Sequence, residues 1–323
     1  MSYIPALDQV QLGHETVTWG TSAAGTSKLG LISDCVIEPD VEIEVLKDIR
    51  GSLAPGFVAV TNKNFGQATL SGVPSYDDLP YMLDSLLNLA TPGASTTYTR
   101  DYVGQLLAAP TRRSYTLFKG STGKVQKITG AIVDELTIKI ESNKPWQFTA
   151  KFLGKAAADG ALASLSDRSQ TPIHANQTTF TLDAVGGTMG ATAVTSLWFS
   201  CELNIKSGMS LVSKIGSLSA AAYVDGVAEA TLKFKADVDG ATAGYLTSIL
   251  TNTVLQEQIR IKATTGATQI AQFDFAGFFS NAPKLNTEQD GVSTLEFEMN
   301  AIYNATLGNW MKASVTNSIA TMV

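Results

Sequence analysis

The sequence predicts a mainly β protein built from two tandem domains of the same kind. Only 16% of the 323 residues are charged and 27 are glycine, a composition typical of short strands joined by small turns. Several segments alternate apolar and polar residues with the period of two that marks a half-buried strand. These segments follow one order, with one apolar helix among them, in each half of the chain. We therefore expect two β-sandwich or partly rolled-sheet domains, each with one flanking α-helix.

Two short matches on either side of the predicted helix support an internal duplication. Ala-Thr-Leu at 68–70 ends a strand-like run and is followed by the apolar helical stretch 83–87. Ala-Thr-Leu occurs again at 230–232, before the similar stretch 246–250. Ordered self-similarity of this kind is typical of a domain that is written twice in one chain.

The domain boundaries follow from the repeat and from chain length, which suggests about two domains. The first half has a long connection at 90–113, where the second half passes almost directly from 251 to 257. Such differences in loop length cost little free energy. We predict a first domain over 1–155 with an N-terminal arm, a small-residue linker over 156–176, and a second domain over 177–323 with a C-terminal tail.

The elements of the first half follow from local patterns. Val41, Ile43 and Val45 alternate with Glu42 and Glu44, which predicts a half-buried strand. Ser75 precedes an apolar helical pattern that Thr91-Pro92-Gly93 ends, as expected of helix start and stop signals. Further strands are predicted at 65–73, 114–119, 124–128, 136–141 and 146–152.

The second half repeats this order of elements. Leu295, Phe297 and Met299 alternate with Glu296 and Glu298, which predicts the closing strand of the domain. The segment 241–250 is the predicted helix. The other strands are predicted at 178–182, 197–206, 229–236, 258–263 and 269–275.

Composition excludes several classes of function. A net charge of −6 repels phosphate, so the chain does not coat DNA, although a surface past which DNA slides without binding is compatible with it. The N-terminal residues 1–13 have no basic region before an apolar stretch, and no run approaches 18 apolar residues. We expect synthesis in the cytosol and no membrane contact. Cys35 and Cys201 are expected to be buried free thiols.

No cluster of residues predicts catalysis or a bound cofactor. His14 and His174 are the only histidines, and neither has the neighbours that a metal site needs. The run 120–124 is similar to a phosphate-binding loop, but Val125 stands where that loop has Ser or Thr. We expect a protein that is not an enzyme, with no cofactor and no metal.

The long connection 90–113 is basic and contains two tyrosines. We interpret it as a polar contact loop to a neighbouring subunit, with a solvated loop and a nucleic-acid patch as the alternatives. The residues proposed for the subunit contact are Arg100, Tyr102, Arg112 and Arg113.

This combination of features resembles the tail tube proteins of tailed bacteriophages. Trp19-Gly20-Thr21 and the strand within 39–50 look like the opening of that family. The segment 66–72 before the helix at 76–89 is similar to its sheet-to-helix step, and the strands within 136–152 are similar too. In that family a β-sandwich with a flanking helix forms rings of six domains.

The resemblance implies a structural virion protein of the tail, synthesised in the host cytoplasm. Two tube domains per chain imply a trimer that mimics a hexamer, and stacked rings would form the hollow tube through which DNA reaches the host. The implied partners are other copies of the chain, the tape measure protein, the tail terminator and the distal tail protein. DNA would pass through the lumen without specific binding.

Ring closure would place polar strand faces in the lumen. Unpaired sheet edges promote aggregation, and a head-to-tail interface that closes on itself would pair them in a continuous inner barrel. The arms 1–34 and 304–323 and the connection 90–113 are expected to join successive rings. The residues predicted to face a mostly negative lumen are Glu42, Glu44, Lys139, Glu141, Glu202, Glu296 and Glu298.

Two other classes of protein stay open on sequence alone. One is another structural β protein, such as a capsid decoration protein or an adhesin-like tandem sandwich. The other is a carbohydrate-binding module or an enzyme on a β scaffold. The second class needs an aromatic-lined cleft, whereas most aromatic residues here fall at core-facing strand positions.

Overall fold

The structure, a computed structural model, describes residues 5–16, 18–46, 58–93, 97–121, 123–194, 196–251 and 255–322. Across these ranges it contains twenty β-strands and two α-helices, which confirms the mainly β fold class. In the first half the elements are β1 (Gln9–His14), β2 (Ser27–Lys28), β3 (Ile32–Ile37), β4 (Asp40–Leu46), β5 (Val58–Gly72), α1 (Leu79–Leu86), β6 (Tyr98–Val103), β7 (Tyr115–Ser121), β8 (Lys124–Glu141), β9 (Gln147–Gly154) and β10 (Ala156–Asp159).

The second half contains the remaining elements. They are β11 (Thr178–Ala184), β12 (Trp198–Lys206), β13 (Ser210–Val212), β14 (Ala222–Val224), β15 (Glu229–Asp237), α2 (Gly240–Leu250), β16 (Gln256–Thr265), β17 (Gln269–Phe279), β18 (Lys284–Gln289), β19 (Val292–Ala301) and β20 (Met311–Asn317).

One antiparallel sheet, which we call the front sheet, runs through both halves. Its strand order is β3-β5-β9-β8-β12-β15-β19-β18. The halves meet where β8 pairs with β12, from Glu135 opposite Lys206 to Glu141 opposite Ser200. The two halves are therefore joined by a backbone ladder and not only by the segment that links them.

Each half has a second layer of strands behind the front sheet. In the first half its order is β2-β1-β7-β8-β10, and in the second it is β11-β16-β17-β20-β6. The long strand β8 belongs to both layers and bends at Gly130, whose φ is +65°. A Cβ at this position would lie 2.8 Å from the ring of Trp19, so the bend requires glycine.

The order of pairing is the same in the two halves. β3 corresponds to β12, β5 to β15, β9 to β19, and β8 to the run from β17 into β18. In each half the helix follows the second of these strands along the chain, β5 or β15. β1 beside β7 likewise corresponds to β11 beside β16. This topology agrees with the predicted duplication, which stays a prediction.

Three segments that were predicted as arms or as a free loop are strands within the chain. β1 inserts Val10 and Leu12 into the core, and β20 inserts Met311 and Val315. β6, from the connection 90–113, pairs with β20 of the other half. Their weak sequence alternation does not predict strands, and it is non-local partners in the fold that cover their apolar residues.

The segment predicted as a linker lies along the first half. Its first residues form β10 on β8, and Gln11 exchanges two hydrogen bonds with the backbone of Ala163, at 2.9 and 3.0 Å. Ile173 is fully buried. The core is continuous across both halves, and it encloses α1 on all sides while α2 stays half-exposed.

Candidate functional site: the polar face and open edges of the front sheet

The front sheet has one apolar face against the core and one polar face towards solvent. In β8 and β12, Ile138 and Leu203 point into the core, and the residues that alternate with them are polar. Because paired strands keep their register, these polar residues line up in rows across the sheet. One row, which crosses four strands through directly opposite partners, consists of Lys139, Glu202, Lys233 and Glu298.

Acidic and basic groups alternate along these rows. Lys139 Nζ lies 3.0 Å from a Glu202 carboxylate oxygen, and Lys233 Nζ lies 3.7 Å from Glu298. Glu135 accepts a hydrogen bond of 2.5 Å from Lys151. Each such exposed pair contributes only about 0–1 kcal/mol to stability. Their main effect is therefore on the electrostatic potential of the face.

The polar face of the folded chain carries lysines as well as glutamates, and the mostly negative lumen stays a prediction. Lys206, Lys233 and Lys235 lie on the same face as the predicted glutamates, because β12 and β15 stand between β8 and β19. The sequence alone does not show which strands are neighbours. The polar face is close to charge-balanced.

The structure brings five of the seven predicted lumen residues onto this face, namely Lys139, Glu141, Glu202, Glu296 and Glu298. Glu42 and Glu44 lie elsewhere, on β4, which pairs with the first part of β5. Glu44 accepts a hydrogen bond of 2.9 Å from Asn62 within this hairpin. The apolar residues of β4, predicted to face the core, are exposed. Their alternation indicated a covered face, but no described part of the chain covers it.

The front sheet ends in two strands whose outer sides have no strand partner among the described residues. β3 pairs only with β5, and β18 pairs only with β19. The amide of Glu38 donates to the Gln67 carbonyl at 3.0 Å. Since donors alternate along a strand, the amides of Cys35 and Ile37 point to the open side of β3.

In the middle of the sheet, the strands that correspond to these edges are paired with each other. β12 occupies the place in the second half that β3 occupies in the first, and its outer side is covered by β8. The end of β8 corresponds to β18. Sequence reasoning missed both edge strands, because 32–37 and 284–289 have no regular alternation that would mark them.

The four residues predicted for a subunit contact make contacts within the chain. Arg100 and Tyr102 are buried, which corrects the expectation of an exposed loop there. Burial and the neighbouring Asp84 raise the pKa of Tyr102 well above its usual value. Arg113 donates to the Met322 carbonyl at 2.5 Å, so the connection holds the last described residues of the chain.

Arg112 joins the two halves. Its Nη1 lies 3.1 Å from an Asp225 carboxylate oxygen, and both side chains are largely buried. Burial lowers the pKa of Arg112, and the nearby Asp225 charge opposes that shift. The charge of Arg112, in the basic connection 90–113, thus pairs with a carboxylate of the second half of the same chain.

The two cysteines and the possibility of a metal site were the other chemical features to locate. Cys35 and Cys201 are buried free thiols, as predicted, and burial raises the pKa of Cys35 to about 12. Among the side chains that the structure describes, no group of three or more His, Cys, Asp or Glu residues could hold a metal ion. Within the same part of the chain, neither helix is long and apolar enough to cross a bilayer.

Comparison with known proteins gives one family. The family model described as phage tail tube protein matches residues 6–301. No curated protein matches the chain.

Proposed function

We propose that this chain, which belongs to the phage tail tube protein family, closes into rings by pairing the open edges of its front sheet. Stacked rings form the hollow tail tube through which DNA is delivered. The observation that carries the proposal is the ladder between β8 and β12. In this ladder the two halves of one chain pair through their backbones, and the outer edges of β3 and β18 could pair between copies in the same way.

The repeated strand order supports this ring closure. β18 stands at the end of its half as the end of β8 does, and β3 stands at the start of its half as β12 does. Pairing β18 of one copy with β3 of the next would make each junction alike and remove both edges, as a closed head-to-tail assembly requires. Six halves, the number of domains in rings of this family, correspond to three copies.

Closure places the polar face on the inside of the ring. The other face of the front sheet carries the core and the second strand layer. In a ring formed by the front sheets, that second layer fits only on the outer, convex side. A charge-balanced wall has few unpaired cations that could release counterions from DNA. Duplex DNA would pass such a wall without adhering to it.

The position in the virion follows from the family. In an assembled tail the partners of the tube are further copies of this chain along its length, and the tape measure, tail terminator and distal tail proteins at its lumen and ends. The chain is synthesised in the host cytoplasm and has a structural role, with no reaction to catalyse.

A mixing experiment tests ring closure. Asp34 and Glu288 are exposed residues on β3 and β18, and the native cysteines are buried. Chains with Asp34→Cys are mixed with chains with Glu288→Cys, treated with a bismaleimide long enough to span about four residues of strand, roughly 13 Å, and examined by denaturing electrophoresis and negative-stain microscopy. We expect covalent dimers from the mixture, few from either variant alone, and hollow cylinders at high protein concentration.

Two results would count against this function. One is a concentrated protein that stays monomeric, without rings or cylinders, as a decoration protein or an adhesin-like sandwich would. The other is the formation of cylinders in which the two edge positions never cross-link.

A further inference from the structure

An exposed apolar surface of the first half lies on the two paired segments β4 and the first part of β5, which we call the hairpin. Val41, Ile43 and Val45 alternate along β4, and all three are exposed, Ile43 to 63%. A two-stranded hairpin is marginally stable in water by itself. A continuous exposed apolar face of this kind marks a surface that contacts a partner.

The second half has a segment that corresponds to the hairpin in its position along the chain. Residues 207–228, which we call the insert, lie between β12 and β15 as the hairpin lies between β3 and the paired part of β5. The insert packs on the first half. Ser207 Oγ donates to Asp134 at 2.7 Å, and the ring of Tyr223 meets Trp19 edge-on with centroids 5.5 Å apart.

The tip of the insert reaches the end of the β5–β9 ladder. The amide of Asn64 donates to the Leu218 carbonyl at 2.8 Å, and the amide of Ala220 donates to the Lys155 carbonyl at 3.1 Å. Ala220 is fully buried there. Asn64 and Lys155 lie just beyond the last pair of that ladder, Gly66 opposite Gly154.

The corresponding position on the second half is the end of the β15–β19 ladder. Just beyond it lie Val227, which is 84% exposed, and Tyr303, which is 57% exposed. The second half thus presents two large apolar side chains at the place where the first half receives the tip of the insert.

From this correspondence we propose that the hairpin of each copy docks on the second half of the neighbouring copy in the same ring. That neighbour is the copy whose β18 pairs with the β3 that leads into the hairpin. The apolar side of β4 then covers Val227 and Tyr303. The inference rests on the proposed ring closure, and it adds a second, side-chain contact to each backbone junction.

The direction of docking follows from the chain itself. The insert packs on the half whose β8 pairs with its own β12. The hairpin, which leads out of β3 as the insert leads out of β12, therefore packs on the half whose β18 pairs with β3. Each ring then contains six overlapping segments, three inserts within chains and three hairpins between chains.

The test uses cysteine pairs in assembled protein. Chains with Ile43→Cys are mixed with chains with Tyr303→Cys under the bismaleimide conditions that test the edges with Asp34→Cys and Glu288→Cys. We expect both mixtures to give interchain dimers. Leu107→Cys, at a fully exposed position elsewhere, replaces Tyr303→Cys as the control for random collision and should give at most a tenth of the dimer.

The outcomes separate the two proposals. If the edge pair cross-links but Ile43→Cys with Tyr303→Cys gives no more dimer than the control, the ring closes and the docking inference is wrong. A hairpin that contacts an adjacent ring would give this result. If neither pair cross-links, both proposals are wrong. Ile43→Asp should leave the unfolding midpoint of the monomer unchanged, because residue 43 is solvated there, and it should lower the yield of rings at least tenfold. An unchanged yield would overturn the inference.

Discussion

The guanidinium of Arg100 donates a hydrogen bond of 2.6 Å to the carbonyl oxygen of Ile319, between residues 219 positions apart in the chain. The same group donates to Asn317 Oδ1 and to the Ala320 carbonyl, each at 3.1 Å. Asn317 in turn donates to the Tyr76 carbonyl at 3.0 Å, just before α1. A residue of the first half thus holds the end of the second half against the first.

Removing this guanidinium should destabilise the whole chain. Arg100→Ala leaves the buried Asn317 side chain and the partly buried carbonyls of Ile319 and Ala320 without this donor, at roughly 1–3 kcal/mol for each group that stays unsatisfied. We expect a loss of about 3 kcal/mol in the free energy of unfolding, measured by urea denaturation. Arg100→Lys keeps the charge but cannot serve all three acceptors, so its loss should be smaller but measurable. Wild-type stability in both variants would show that the C-terminal contacts are dispensable.

The ion pair between Arg112 and Asp225 should be strongly coupled. Replacing either residue by alanine leaves a largely buried charge without a partner, which costs about 3 kcal/mol. The double variant should lose clearly less than the sum of the two single variants. The exposed pair Lys124 and Asp159, 2.6 Å apart, is the matched control and should change stability by under about 1 kcal/mol. Additive losses for Arg112 and Asp225 would contradict the coupling.

Glu257 should make stability fall as the pH rises. Burial, followed by the charge of Asp183, raises the pKa of Glu257 from its usual 4.5 to about 7. The folded state therefore holds this proton more tightly than the unfolded state, and the stability it confers is complete below pH 4.5 and lost as the pH rises through 7.

The variant Glu257→Gln isolates this effect. The amide stays neutral at every pH, so the variant should gain stability relative to wild type between pH 5 and pH 8, by about 2 kcal/mol after allowance for solvent screening. Urea unfolding at several pH values measures the difference. Two curves that stay parallel over this range would show that Glu257 ionises normally.

The charge balance of the polar face should control how the tube treats DNA. Changing Glu202, Glu296 and Glu298 to glutamine leaves the neighbouring lysines unpaired and makes the face positive. Assembled tubes of this variant should retain short duplex DNA in a salt-dependent, nuclease-protected form, because unpaired cations displace counterions from phosphate. The matched variant, with Lys139, Lys233 and Lys235 changed to glutamine, should retain none. Nuclease-sensitive binding would indicate that the face lies outside the tube.

Local patterns were sufficient to predict much of the fold. The alternation of Leu295, Phe297 and Met299 with Glu296 and Glu298 identified both a strand and its buried face. It did so because successive side chains of a strand point to opposite faces of the sheet. The order of the regularly patterned strands and of the one helix in each half could also be predicted, since apolar residues repeat with a different spacing in strands and in helices. The phage tail tube family, suggested by that order and by short motifs, is confirmed by the family match.

Which strands are neighbours was decided only by the tertiary structure. The pairing of β6 with β20 joins segments more than 200 positions apart, and no local signal specifies such a partner. The balance of charge on the polar face depends in the same way on β12 and β15 lying between β8 and β19. The sequence by itself determined which regularly alternating segments are strands and, apart from β4, which side of them is buried. The contacts between strands decided which edges stay open, because backbone hydrogen bonds pair any two strands whose faces are compatible.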